Sequence, residues 1–60
     1  MNLHQRFMLR YNKLNKKQRA ELVLEFEGEP YTWNPIYIEV YNKTSLSHRL
    51  LAAMLKEGKL

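Results

Sequence analysis

Sixty residues carry ten basic and six acidic side chains, a net charge of +4, no Cys and no Asp. That length allows one domain, residues 1–60, and the lack of Cys excludes disulfides and thiolate metal sites. A chain this short buries only about 60% of the surface its unfolded form exposes, so self-association or a protein partner is expected to supplement the core.

Residues 3–17 are expected to form a helix, with Leu3, Phe7, Tyr11 and Leu14 on one face. Residues 20–27 are expected to form a strand with Leu22, Leu24 and Phe26 on its apolar side and Val23 among the acids on the other. Gly28-Glu29-Pro30 breaks it, and Tyr31-Thr32-Trp33 is at most a short third strand ended by Asn34-Pro35. Ile36, Ile38 and Val40 alternate with Tyr37, Glu39 and Tyr41, which predicts a second strand over 36–41. The link from Glu27 to Ile36 is too long for a two-residue hairpin. Residues 45–57 are expected to form a second helix, capped by Thr44 or Ser45 and ended by Gly58. The fold class is therefore α+β in the order α-β-β-α, a small antiparallel strand pair packed against two helices.

Charge is segregated along the chain. Residues 1–19 hold Arg6, Arg10, Lys13, Lys16, Lys17 and Arg19 and no acid, whereas residues 20–42 hold five Glu and no base. On one helix, Arg6, Arg10, Lys13 and Lys17 fall within about 60° of one another, beside the apolar face. Four phosphate contacts from such a stripe would give a log-affinity slope against log salt of about −3.6 on duplex nucleic acid. The expected function is a small non-enzymatic nucleic-acid-associated protein, of RNA or ribonucleoprotein rather than sequence-specific DNA. Its contacts would be Arg6, Arg10, Lys13, Lys16, Lys17 and Arg19, extended by Arg49, Lys56 and Lys59 if the two helices lie side by side. The opposing possibility is that the acidic strands neutralise this stripe.

The alternative is a homodimer or adaptor acting by protein–protein contact. The second helix has an apolar arc of roughly 200°, more than one sheet face needs, with Leu51 and Leu55 on one flank. Tyr31 and Trp33 on the Pro-bounded loop and Tyr37 and Tyr41 on the acidic strand face complete that expected interface. Catalysis, cofactors and metal sites are not expected. Ser45, Ser47 and His48 point in different directions on a helix and lack an Asp to orient them. His4 and His48 show no zinc spacing. No apolar run approaches the ~18–20 residues of a membrane span, and Met1–Arg6 leads into no apolar signal segment, so a cytoplasmic protein without a membrane partner is expected.

Overall fold

The computed structural model describes all sixty residues. Its elements are α1 (Leu3–Asn12), α2 (Lys16–Arg19), β1 (Leu22–Phe26), β2 (Glu29–Thr32), α3 (Trp33–Tyr41) and α4 (Ser45–Lys56). The α+β class and the antiparallel strand pair are as expected. The order is α-α-β-β-α-α, and the segments that form the second strand and the end of the first helix differ.

The helix expected over 3–17 stops at Asn12, and a second short helix restarts at Lys16. Asn residues set both beginnings. The Asn2 carboxamide accepts from the Gln5 N–H at 2.8 Å while Gln5 Oε1 accepts from the Asn2 N–H at 3.1 Å. Asn15 and Gln18 repeat the exchange at 2.8 and 2.9 Å. Reciprocal capping satisfies two otherwise orphaned N–H groups, so Asn15 is more stable as a cap than as a helix interior residue. Arg19 closes the break, donating through Nε and Nη2 to the Tyr11 carbonyl at 3.3 and 3.2 Å. That carbonyl belongs to the last turn of α1, where a cation also meets the negative end of the helix dipole.

β1 joins β2 through Glu27-Gly28, both in the left-handed region with φ of 53° and 79°. Two successive positive φ values are what a two-residue type I′ hairpin requires. The partner of β1 is therefore Glu29–Thr32, and the expected long link to residue 36 is corrected. Leu22 pairs with Thr32 but Leu24 pairs with Tyr31, so Val23 is the extra residue of a bulge. The bulge turns both Val23 and Leu24 inward and leaves Leu22 64% exposed. The expected apolar row of Leu22, Leu24 and Phe26 is broken for that reason.

Residues 33–41 are helix α3, not a strand. The apolar residues fit either period: Ile36, Ile38 and Val40 alternate, but Trp33, Ile36, Tyr37, Val40 and Tyr41 also recur at helical spacing. Packing selects the second period, burying Ile36 and Val40 and leaving Ile38 56% exposed. Thr32 is the extended N-cap, and Pro35 is the third helical residue. A first-turn N–H has no intrahelical acceptor, so Pro35 opens a helix here and does not end a strand. The acid-tyrosine strand face accordingly does not exist: Tyr37, Glu39 and Tyr41 lie on α3, and Val23 is in the core.

α3 ends as α4 does. The Thr44 N–H donates to the Glu39 carbonyl at 3.2 Å and the Lys43 N–H to Val40 at 3.1 Å, with Lys43 left-handed at φ 51°. At the end of α4 the Lys59 N–H donates to Met54 at 2.8 Å and the Gly58 N–H to Leu55 at 3.1 Å, with Gly58 at φ 74°. Both are Schellman closures. The expected helix over 45–57 is present to within a residue, and Thr44 caps it by accepting from the Ser47 N–H at 3.1 Å.

α4 packs against α1, α3 and β1, and this accounts for its wide apolar arc. Phe7 and Tyr11 of α1, Val23 and Leu24 of β1, Ile36 and Val40 of α3, and Leu50, Leu51 and Met54 of α4 form the core, with Leu60 folded back onto it.

Candidate anion-binding face and apolar groove

Three surroundings are distributed around α1 by its 3.6-residue period. Leu3, Phe7 and Tyr11 face the core. Arg6, Arg10 and Lys13, spaced four and three apart, surround a shallow depression of about 260 Å³ whose other walls are Met1, Leu9 and Leu60. His4, Gln5, Met8, Leu9 and Asn12 line the third face, one wall of a larger groove.

On the basic face, Arg10 and Lys13 are exposed and Arg6 is half-buried; Lys16 and Lys17 are exposed on α2. The break at Asn15 takes Lys17 off the stripe it was expected to share with Arg6, Arg10 and Lys13. The only ion pair in the protein joins Arg49 to Glu27 at the hairpin turn, with the Arg49 guanidinium 5.3 Å from the Phe26 ring. None of the six N-terminal cations is paired with a carboxylate. Arg19 is the exception to their freedom. Its guanidinium carbon lies 4.1 Å from the centre of the Tyr11 ring, and it is half-buried. Arg19 is therefore a structural cation, a role its position in a charge run did not distinguish.

The aromatic residues stack on one another. Tyr37 lies 4.4 Å from Tyr11 at an interplanar angle of 5°, Tyr41 lies 5.9 Å from Tyr37, and Phe7 lies 5.8 Å from Tyr11 and 5.6 Å from Trp33. Two groups as close to the Tyr11 ring as Arg19 and Tyr37 cannot share a face of it, so the ring is held between them. The Tyr11 hydroxyl donates to Asn34 Oδ1 at 2.7 Å, tying α1 to the first turn of α3. The spacing of Trp33, Tyr37 and Tyr41, four and four, was the sequence signal for this helical stripe.

The groove between α1 and the α3–α4 corner has an open volume of about 930 Å³. Met1, Met8, Leu9, Val40 and Tyr41 supply its apolar surface, and Asn2, His4, Gln5, Asn12, Lys43 and His48 its polar rim. No carboxylate lines it. At one end His4 Nε2 lies 3.2 Å from Ser47 Oγ, and the His4 and His48 rings meet edge to face at 4.9 Å. The Ser47 hydroxyl donates its proton to the Thr44 carbonyl, so its oxygen accepts from His4 Nε2–H. Burial, then the charges of His48 and Lys43, push the His4 pKa below its ordinary 6.5. A nucleophilic serine needs its imidazole to accept its proton. Here the donation runs the other way, and Ser47 is fully buried.

The residues expected to form a protein interface are dispersed. Leu51 is 0% exposed, so it is corrected to a core residue: α4 packs into the middle of the fold. Tyr31, Trp33 and Tyr37 are half-buried and pack on the core, whereas Leu55 and Tyr41 are exposed. No group of three or more acidic, His or Cys side chains could hold a metal ion, and no helix is long and apolar enough to cross a membrane. No protein-family model, curated protein or solved structure matches this chain.

Proposed function

We propose that this is a small non-enzymatic nucleic-acid-associated protein of the cytoplasm, binding RNA or a ribonucleoprotein through Arg6, Arg10, Lys13, Lys16 and Lys17. One observation carries the proposal: these five cations have no carboxylate partner within the fold. Unpaired like charges at helical spacing repel, and an external polyanion relieves that cost while releasing its own condensed counterions. Arg6, Arg10 and Lys13 span about 10 Å along the axis of α1 and its C-cap, and Asn15 and Gln18 nearby are tied up in the reciprocal cap of α2 rather than free to read base edges. Tyr11 and Tyr37 are engaged with each other and do not offer stacking platforms. Phosphate contact tolerant of sequence fits this surface better than a base code.

Retention on immobilised RNA and duplex DNA, compared at low and high salt, tests the proposal. Binding should fall steeply with salt, and Arg10→Glu with Lys13→Glu should abolish it while leaving the circular dichroism of the fold unchanged. Equal retention at both salt concentrations, or full binding by the folded double variant, refutes it.

The alternative function, a homodimeric or adaptor protein, draws support from the exposed apolar side chains Ile38, Tyr41 and Leu55. The buried Leu51 no longer belongs to it. Sedimentation showing a folded monomer at micromolar concentration argues against the homodimeric form.

A further inference from the structure

We infer that the groove between α1 and the α3–α4 corner docks an acidic amphipathic helix of a partner protein. This goes beyond phosphate binding and does not depend on it, because none of Arg6, Arg10 and Lys13 lines the groove, although the two depressions share Met1 and Leu9.

Shape and polarity select the occupant. His4, Gln5, Met8, Leu9 and Asn12 line one wall, so the trough follows α1 for about 12 Å, a little over two turns of helix. Its apolar surface is partly open to water: Leu9 is 49% and Tyr41 68% exposed. Large apolar side chains left exposed along a trough between helices suit anchors at i, i+3 or i+4, and i+7 of an incoming helix.

Charge fixes the sign of the flanks. Lys43 is the one Lys or Arg on the rim and no acid lines it, and Arg6 and Arg10 continue the basic surface around α1. A carboxylate near Lys43 would meet a cation that has no ion-pair partner of its own. A second copy of this chain docked groove to groove fits poorly, since neither groove holds a carboxylate to meet the other's Lys43. A polyanion without apolar anchors would leave Met8, Leu9 and Tyr41 uncovered.

The test is selection from a displayed library of helical peptides of about fifteen residues, with Leu at the anchor positions and Glu, Lys or Ser randomised elsewhere. Glu should be enriched, and a synthetic copy of the selected peptide should shift the amide resonances of Met8, Leu9, Tyr41 and His48. Leu9→Glu and Tyr41→Ala alter exposed positions and should each weaken that peptide about tenfold or more with an unchanged fold. Lys43→Glu should weaken it too. Enrichment of Lys, no enrichment, or shifts confined to other surfaces overturns the inference. So does a dimer in sedimentation that Leu9→Glu dissociates, which would make a second copy the occupant.

Discussion

Replacing Arg19 with alanine should destabilise the fold while nearly sparing phosphate binding, and replacing Arg10 should do the reverse. The two residues are equivalent in charge and lie nine positions apart in one basic run. Arg19 donates twice to the Tyr11 carbonyl, at 3.3 and 3.2 Å, and covers the Tyr11 ring at 4.1 Å. Hydrogen bonds to a charged donor contribute about 1.5–3 kcal/mol, and these long ones belong at the lower end. A cation over an aromatic ring at a half-exposed site adds about 0.5–1 kcal/mol. The loss on Arg19→Ala is therefore about 2 kcal/mol. One kcal/mol moves the midpoint of a domain this size by about 4–8 °C, so its melting temperature should fall by roughly 10 °C. Arg10 makes no ion pair, and its removal should leave the melt unchanged. In a salt titration of RNA binding, five phosphate contacts give a slope of about −4.5 on duplex, and Arg10→Ala should make it shallower by about 0.9. Thermal melts by circular dichroism and binding titrations on both variants separate the roles. An Arg19→Ala protein that melts with the parent, or an Arg10→Ala protein that melts as low as Arg19→Ala, refutes the assignment.

The two Schellman closures both favour glycine, so adding one and removing one should have opposite effects. Lys43→Gly should stabilise by about 0.5–1 kcal/mol, because a side chain at φ 51° costs about 1–2 kcal/mol and glycine returns part of that as chain entropy. Gly58→Ala should destabilise by about 1 kcal/mol; nothing lies within 4 Å of the added Cβ, so the cost is in the backbone alone. Changes of the same sign in paired denaturant melts would contradict this. His4 predicts a pH dependence. Its folded pKa lies below the 6.5 of the unfolded chain, so the unfolded state takes up the proton first. Its contribution to stability is constant above about pH 7.5, falls as pH drops through 6.5, and levels off below the folded pKa. His4→Gln should flatten that part of a stability-against-pH curve, and an unchanged curve would show that His4 is not its source.

Much of the local structure was legible because it is decided within a few residues. Thr44 and Gly58 bracket α4 as expected; Asn15-Lys16-Lys17-Gln18 carries its own helix start and Gly28 a positive φ at the hairpin, but the apolar spacings point to one helix over 3–17 and a long link after Glu27. The repulsive grouping of Arg6, Arg10 and Lys13 follows from spacing on one helix, and they do share a face. Lys17 left that face because an Asn cap outcompetes a continuing helix. The capture of Arg19 by Tyr11 crosses that same break and had no pattern to announce it. The groove draws on residues 1, 2, 4, 5, 8, 9 and 12 together with 40, 41, 43 and 48, so no stretch of sequence displays it.

Residues 33–41 mark the boundary between what the amino-acid order decides and what the assembled chain decides. The order determined a basic chain without disulfides, segregated charges, the first strand and the last helix, since these rest on composition and on bonds between near neighbours. Whether Ile36, Ile38 and Val40 alternate or Trp33, Ile36, Tyr37 and Val40 share a stripe depends on which set finds apolar surface to bury. Phe7, Tyr11 and α4 supply that surface for the stripe, and the segment is a helix. The same long-range geometry paired Glu27 with Arg49 and left the cations of α1 and α2 unmatched, because ion pairs depend on distances that only the packed chain sets.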